Sequence, residues 1–173
     1  HNVLDDTISL FKLSELLSQH KCVCLGKQTE NGKLCTTKHT FEDLCKIADF
    51  VLVEADGSKH LPLKAHLDYE PVLPCESTQV IAVIGVDCVG EKLKDVTHRC
   101  DKASELLACD KEDVLTEKMV AQLINIENLH SKVLINKCDS KKEKNTAETI
   151  SGYIKTECVI SSLHKGEWYV SSN

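Results

Sequence analysis

Four apolar runs separated by segments with helical spacing constrain the fold of this chain more than any other feature. They cover residues 50–53, 80–86, 133–135 and 158–160, and helical patterns cover residues 96–107, 116–124 and 147–154. Continuous apolar runs of this kind are typical of strands buried on both faces of a parallel sheet. The alternation predicts an α/β fold, with a mostly parallel sheet flanked by helices, in a single domain of residues 1–173.

The first fifty residues carry several local signals. Leucines at helical spacing follow Asp5 and Asp6 and predict an amphipathic helix, and Thr40 opens a second, shorter helix. Residues 21–25 predict a strand, and Asn31-Gly32 favours a tight hairpin turn. Residues 26–33 resemble a phosphate loop, but the segment is one residue too long and Leu34 stands where a Mg²⁺-binding Ser or Thr would be. No other phosphate loop occurs, so this chain alone lacks the main phosphate-gripping element. Because no Met opens the sequence, we expect the nucleotide-binding domain to be incomplete at its N-terminus.

Composition excludes several classes of protein. The net charge of −6 disfavours nucleic-acid binding, because such a surface repels a phosphate backbone. No apolar run approaches the ~18 residues of a membrane-spanning helix, and no signal-peptide pattern opens the chain. The ten cysteines include no C-x-x-C pair and are spread through a chain too long to need disulfides. Reduced thiols in a cytoplasmic protein are therefore expected.

Residues 136–139 read Asn-Lys-Cys-Asp and follow an apolar run, as the base-reading N-K-x-D motif of GTPases does. A carboxylate at Asp139 can accept from both the ring N–H and the amine of guanine, a pair of donors that adenine lacks. Asn136 would hold the loop, and the stem of Lys137 would lie along the base. Ser161 and Ser162 stand where such proteins place a small-residue loop against the base. The alternative is a solvated turn whose Asn and Asp cap local backbone.

Residues 54–57 read Glu-Ala-Asp-Gly and follow another apolar run. Carboxylates at a strand end can hold the water shell of Mg²⁺ or orient an attacking water. We assign Glu54 to this catalytic and metal-binding role and Asp56 to a supporting or switch role, and the two assignments can be exchanged. Gly57 lets the backbone approach a γ-phosphate, and Ser58 beside it is a further candidate for cofactor binding.

The segment from Gly57 to Thr78 contains three prolines and two charged residues of interest, Lys64 and Glu70. These side chains are candidates for contact with a cofactor, cargo or partner; the alternative is a rigid structural crossover. Farther along, His98-Arg99 near a helix start could reach a phosphate or an anionic cofactor. The remaining histidines have no spacing diagnostic of a metal site, and Lys141, Lys142 and Lys144 are expected in a solvated loop.

A family resemblance emerges from these strings taken together. Glu-Ala-Asp-Gly-Ser at 54–58, Pro-Leu-Lys-Ala at 62–65, Thr-His-Arg at 97–99 and the motif at 136–139 are similar to the YqeC-type accessory proteins of selenium-dependent molybdenum hydroxylases. The resemblance covers roughly residues 20–165. It implies a P-loop NTPase-like, three-layer αβα fold, an upstream phosphate loop and a role in cofactor maturation. Glu54-x-x-Gly57 also resembles the E-x-x-G motif of GTPases that deliver metals to enzymes.

The sequence thus predicts a nucleotide-dependent maturation factor for a selenium-dependent molybdenum hydroxylase or its cofactor. Its expected ligands are Mg²⁺ and GTP, with ATP as the alternative nucleotide. Its expected partners are the hydroxylase or its cofactor-loading machinery. Two other functions remain open: a small-molecule kinase or nucleotidyl transferase of the same fold, and a non-catalytic nucleotide-binding scaffold.

Overall fold

The computed structural model describes residues 4–5, 7–30 and 33–171. Contacts between residues divide the chain into two compact units. The first unit comprises residues 1–54 and 74–76, and the second comprises residues 55–73 and 77–173. The prediction of one domain over the whole chain stays a prediction.

The first unit contains two helices and one strand pair. Helix α1 spans Leu10–His20, and α2 spans Phe41–Ile47. Each begins after a hydroxyl N-cap, Ser9 or Thr40, whose side chain accepts from a backbone N–H of the first turn. Strands β1 (Lys27–Gln28) and β2 (Leu34–Cys35) pair antiparallel. Both predicted helices are confirmed. The turn at Asn31-Gly32 lies outside the described residues, but its flanking strands pair as a hairpin requires.

Two predicted strands in this unit are wrong. Residues 21–25 form no strand; Leu25 makes only an isolated bridge to Leu4. Residues 50–53 also form no strand, and the side chains of Phe50 and Leu52 are 87% and 93% exposed. An apolar run becomes a buried strand only where a neighbouring strand completes its backbone hydrogen bonds. No strand of the described chain pairs with residues 50–53.

The second unit is built on a four-stranded sheet in the order β4-β6-β7-β8. Strands β4 (Ile81–Gly85), β6 (Lys132–Asn136) and β7 (Glu157–Ser162) are parallel, whereas β8 (Glu167–Val170) is antiparallel to β7. The three remaining apolar runs are therefore strands, as predicted. The edge strand β8 was not predicted. All four of its residues are exposed, and the segment lacks the apolar run that marks a buried strand. The fold is α/β, with a sheet that is mixed.

Four helices accompany this sheet: α3 (Leu93–Val96), α4 (Cys100–Leu107), α5 (Glu117–Glu127) and α6 (Lys141–Tyr153). The predicted helix over 96–107 is interrupted by β5 (Thr97–His98), which pairs in parallel with β3 (Leu63–Lys64). The lysines at 141, 142 and 144 lie in α6 and not in a loop. A capping box between Ser140 and Glu143 starts that helix early. No helix in the described ranges combines the length and apolar character needed to cross a membrane.

The core of the second unit lies on one face of the four-stranded sheet. Ile84, Ile135 and Ile160 are register neighbours across β4, β6 and β7, and all three are buried. They pack in one cluster with residues of α5 and α6, including Ile124 and Ile150. On β4 the alternate residue Val83 is 61% exposed. Burial of the isoleucine row therefore sets the register of the parallel strands.

We predict that Ile124→Ala lowers the free energy of unfolding by about 2–5 kcal/mol, because Ile124 is 4% exposed and its loss leaves a cavity. Ile126→Ala is the matched control in the same helix. Since Ile126 is 44% exposed, its loss should cost no more than about 1 kcal/mol. Urea denaturation of the two variants measures the difference. Equal losses would contradict the placement of the core.

Candidate functional site

The parallel strands bring two predicted polar groups together. Because β6 and β7 run in the same direction, the residues that follow them meet at one edge of the sheet. We call the group formed there the strand-end cluster; it comprises Asn136, Lys137, Asp139, Ser161 and Ser162.

Asn136 joins the loop after β6 to the end of β7. Its Oδ1 accepts from Ser161 Oγ and from the backbone N–H of Leu163, both at 3.1 Å. The backbone N–H of Cys138 donates to the carbonyl of Ser161 at 3.0 Å. Three hydrogen bonds thus hold the two loops in a fixed relation.

Asp139 presents a carboxylate that is held on one side and reachable from solvent. Ser162 Oγ donates to its Oδ1 at 2.6 Å, and His164 Nδ1 lies 3.2 Å from the same oxygen. Ser162 is buried, whereas the Asp139 side chain is 38% exposed. Lys165 Nζ donates to the Asp139 carbonyl at 2.7 Å. These partners lie far from Asp139 in sequence and orient its carboxylate as an acceptor at the strand-end edge.

Lys137 has a left-handed backbone, with φ of 67°, and its Nζ donates to Asp87 Oδ2 at 2.7 Å. Asp87 follows β4, so this pair extends the strand-end edge to a third strand. A Cβ at Gly85 would collide with Asp87 Oδ1 and lie 2.9 Å from Pro62 Cβ. Glycine at position 85 therefore permits the close approach of these segments. Asp87 was not predicted as a site residue, although a polar residue at the end of an apolar run was an available signal.

A second group of charged side chains lies in the loop that carries β3 and on the elements around it. We call it the buried charge cluster; its members are Asp56, Lys64, His66, Glu70, Arg99 and Glu127. Lys64 is at its centre and is 8% exposed. Its Nζ lies 2.5 Å from Asp56 Oδ1 and 3.3 Å from Glu70 Oε2, and it donates to the Gly57 carbonyl at 3.2 Å. A buried ammonium is stable only with such partners, so Lys64 holds the surrounding loop in place.

Glu70 connects Lys64 to the start of α4. Arg99 NH2 donates to Glu70 Oε1 at 2.9 Å. This bond, together with the Leu67 N–H and the Lys64 ammonium, lowers the pKa of Glu70 to about 2. The carboxylate is 14% exposed. Glu70 therefore remains ionised and tethered over the whole physiological pH range.

His66 lies between two carboxylates. Its Nε2 is 3.0 Å from Asp56 Oδ2, and its Nδ1 is 3.0 Å from Glu127 Oε2. The backbone N–H of His66 also donates to Glu127 Oε1 at 2.6 Å. Glu127 is the last residue of α5. No local sequence signal marked it, since only the tertiary fold brings α5 to this loop.

The other predicted site residues divide between the two units. Glu54 belongs to the first unit and is exposed, and its side chain makes no hydrogen bond or ion pair within the described residues. Gly57 donates its N–H to Asp56 Oδ1 at 2.9 Å, and Ser58 Oγ donates to the Leu61 carbonyl at 2.8 Å. His98 lies beside Lys64 in the β3–β5 pair, and burial lowers the pKa of its imidazole.

The environment of these residues differs from the one predicted. Residues 54–57 do not close a buried strand, because residues 50–53 form none. Lys64 is buried and pairs with the half-buried Glu70, a placement that suits a rigid crossover. Within the residues that the structure describes, no three His, Cys, Asp or Glu side chains group as metal ligands.

Comparison with known proteins identifies the family. The chain belongs to the YqeC protein family, whose sequence model matches residues 3–101. The uncharacterized protein YqeC of Escherichia coli (strain K12) is 41% identical over 59 residues, which make up 34% of this chain. The match spans 23% of the length of that relative. No solved structure matches the chain. The family-model match over residues 3–101 includes every member of the buried charge cluster except Glu127 and ends before the strand-end cluster.

We predict that Glu70→Gln lowers the free energy of unfolding at neutral pH by about 1–3 kcal/mol, because the buried Lys64 and the half-buried Arg99 lose a charged partner. The folded pKa of Glu70 lies below its usual value of 4.5. Its contribution to stability is therefore present above about pH 4.5 and is lost as the pH falls toward about 2. Urea denaturation between pH 2 and 7 should show a steeper loss in the unmodified protein than in E70Q.

Glu112→Gln is the control for this experiment. Glu112 pairs with Lys92 and Lys94, but its side chain is 56% exposed. Exposed pairs contribute little to stability, so E112Q should match the unmodified protein within about 1 kcal/mol. If E70Q and the unmodified protein lost stability in parallel on acidification, Glu70 would not be held as the structure indicates.

Proposed function

We propose that this chain belongs to a cytoplasmic P-loop NTPase-like protein that binds GTP with Mg²⁺. We further propose that it serves in the maturation of a selenium-dependent molybdenum hydroxylase or its cofactor. The observation that carries the nucleotide proposal is the strand-end cluster. Two loops at the ends of adjacent parallel strands are joined by side-chain hydrogen bonds around one partly exposed carboxylate, Asp139.

The chemistry of this cluster suits guanine better than adenine. The Asp139 carboxylate can accept from two adjacent N–H donors of guanine, which makes a charge-assisted contact. Adenine has no such pair and would leave the carboxylate without its partners. Asn136 is engaged with Ser161 and Leu163 and would keep the loop in place while the base binds. Lys137 is 48% exposed, and its apolar stem can cover the base.

The two carboxylates near Gly57 differ in their fit to Mg²⁺. The exposed Glu54 has a carboxylate available to a hydrated cation, which prefers oxygen ligands and retains several waters. Asp56 is engaged by Lys64 and lies beside His66, so it would have to leave Lys64 before contacting a metal. Glu54 therefore retains the proposed metal and water role, and Asp56 the role of a switch. Bound Mg²⁺ would supply charge neutralisation at the phosphates.

The maturation role rests on family membership and on the resemblance to metal-delivering GTPases. In this proposal the nucleotide controls a conformational handover of cargo, and hydrolysis resets the protein. Gly57 and Ser58 lie beside Asp56, in the loop held by Lys64. Breaking the Asp56–Lys64 ion pair would release that loop. The conformation of the loop would then depend on which nucleotide is bound.

Asp139→Asn should weaken the preference for GDP over ADP by about 1–3 kcal/mol, because an amide cannot accept from both guanine donors. Calorimetric titration of the full-length protein with each nucleotide and Mg²⁺ measures this preference. Asp101→Asn, which alters an 83% exposed carboxylate, is the control and should leave it unchanged. Unchanged discrimination in D139N would remove the base-reading role. Binding of neither nucleotide by the unmodified protein would refute the nucleotide proposal.

Glu54→Gln should abolish Mg²⁺-dependent turnover of GTP with folding retained, because the amide binds Mg²⁺ poorly and the exposed residue makes no stabilising contact. Phosphate release and circular dichroism of the full-length variant test the two parts of this prediction. Full activity in E54Q would mean that Glu54 has no catalytic role. Nucleotide binding without turnover in the unmodified protein, even with its partner present, would favour a non-catalytic scaffold.

A further inference from the structure

Arg99 is the only arginine in the sequence, and two of its guanidinium nitrogens have different environments. NH2 donates to Glu70 Oε1 at 2.9 Å, whereas the buried Nε has no hydrogen-bond partner among the described residues. The guanidinium is planar, so the anchored NH2 also restricts the direction of the Nε–H bond. An oriented, buried and unpaired donor is rare in native proteins and marks a place for an acceptor.

A second unpaired atom belongs to the preceding residue. His98 Nδ1 is buried and has no hydrogen-bond partner in the part of the chain that the structure describes. His98 is the register partner of Lys64 in the β3–β5 pair, so the two side chains lie on the same face. The adjacent register pair, Leu63 and Thr97, lies on the opposite face and is buried. Lys64 and His98 therefore lie on the face opposite this apolar pair, and Arg99 is joined to Lys64 through Glu70.

Cations surround the His98 ring. Burial lowers the pKa of His98, and the positive charges of Lys64, Arg99 and Lys59 lower it further. Lys64 pairs with Asp56 and Glu70, and Arg99 pairs with Glu70. Lys59 is exposed and forms no ion pair with any described residue. Lys59 therefore adds a positive charge that no carboxylate of the described residues pairs with, which favours an anion.

We propose that Lys59, Lys64, His98 and Arg99 form a binding site for a tetrahedral oxyanion. Inorganic phosphate and the terminal phosphate of a nucleotide share this chemistry, since each presents several acceptor oxygens to diverging N–H donors. Arg99 Nε supplies the unpaired donor, and His98 Nδ1 supplies a second one when the imidazole is protonated. Lys64 and Glu70 hold these groups in place. Binding of free phosphate at this site is independent of the proposed nucleotide function, whereas binding of the terminal phosphate of a nucleotide rests on that function.

The test follows the side-chain Nε–H resonance of Arg99 by ¹H–¹⁵N NMR, which is unambiguous in a chain with one arginine. The ¹⁵N-labelled full-length protein is titrated with inorganic phosphate at constant ionic strength set with chloride. It is titrated separately with GDP, and with GTP in a non-hydrolysable form, each with Mg²⁺. We expect a saturable shift of the Arg99 resonance.

The titrations distinguish the two sources. Saturation by inorganic phosphate alone supports a site for a free oxyanion. A saturable shift with the GTP analogue, without one from GDP or phosphate, supports a site for the terminal phosphate. No saturable shift with any of the three ligands overturns the proposal. Unchanged guanine discrimination in D139N alongside a phosphate-induced Arg99 shift would refute base reading and leave the oxyanion site standing.

Variants separate the site from general electrostatics. Arg99→Lys keeps the charge but loses the Nε–H donor, so phosphate should bind about tenfold more weakly, as followed by the backbone amide resonances of residues 98–100. Lys111→Gln removes an exposed lysine paired with Asp101 and should leave affinity unchanged. Equal weakening in both variants would indicate nonspecific charge attraction and would overturn the proposal. Circular dichroism establishes that each variant is folded.

Discussion

The parallel pairing of β4, β6 and β7 is the constraint on which the strand-end cluster depends. Each strand contributes one isoleucine to a buried row across the sheet, and a slip of one residue would turn that row to the other face. The hydrophobic effect therefore fixes the register. The register in turn sets where each strand ends and brings Asp87, Asn136 and Ser161 to one edge.

A different interaction organises the buried charge cluster. Lys64 is buried on β3 and is paired with Asp56 and Glu70. Removing a charge from water is costly, and the partners must therefore stay close to the ammonium. Lys64 also binds the Gly57 carbonyl and is linked to Arg99 through Glu70. His98 Nδ1 and Arg99 Nε are left without a hydrogen-bond partner in the described part of the chain. A stability requirement thus produces a group of oriented donors suited to ligand binding.

Three of the four apolar runs became strands because each had a neighbour in the parallel sheet. The fourth, residues 50–53, carries the same composition but has no pairing strand in the described chain. Composition reports the tendency of a segment to be buried, whereas pairing depends on other segments. The same reason explains β3 and β5, whose two-residue lengths leave no periodic pattern. For the same reason the sequence did not indicate that Glu127 belongs to the buried charge cluster, because Glu127 and its partner His66 are 61 residues apart in the chain.

The sequence by itself determined the α/β class, the parallel strands of the second unit, the presence of α1 and α2, and the placement of Asn136–Asp139 and Ser161–Ser162 at one edge of the sheet. These features follow from local periodicity and from polar residues placed directly after apolar runs. Only the tertiary structure decided that the buried Lys64 pairs with Glu70 and Asp56, and that Arg99 Nε has no hydrogen-bond partner among the residues described. The physical reason is that burial and electrostatic partners are set by long-range packing, on which residue type and spacing carry no information.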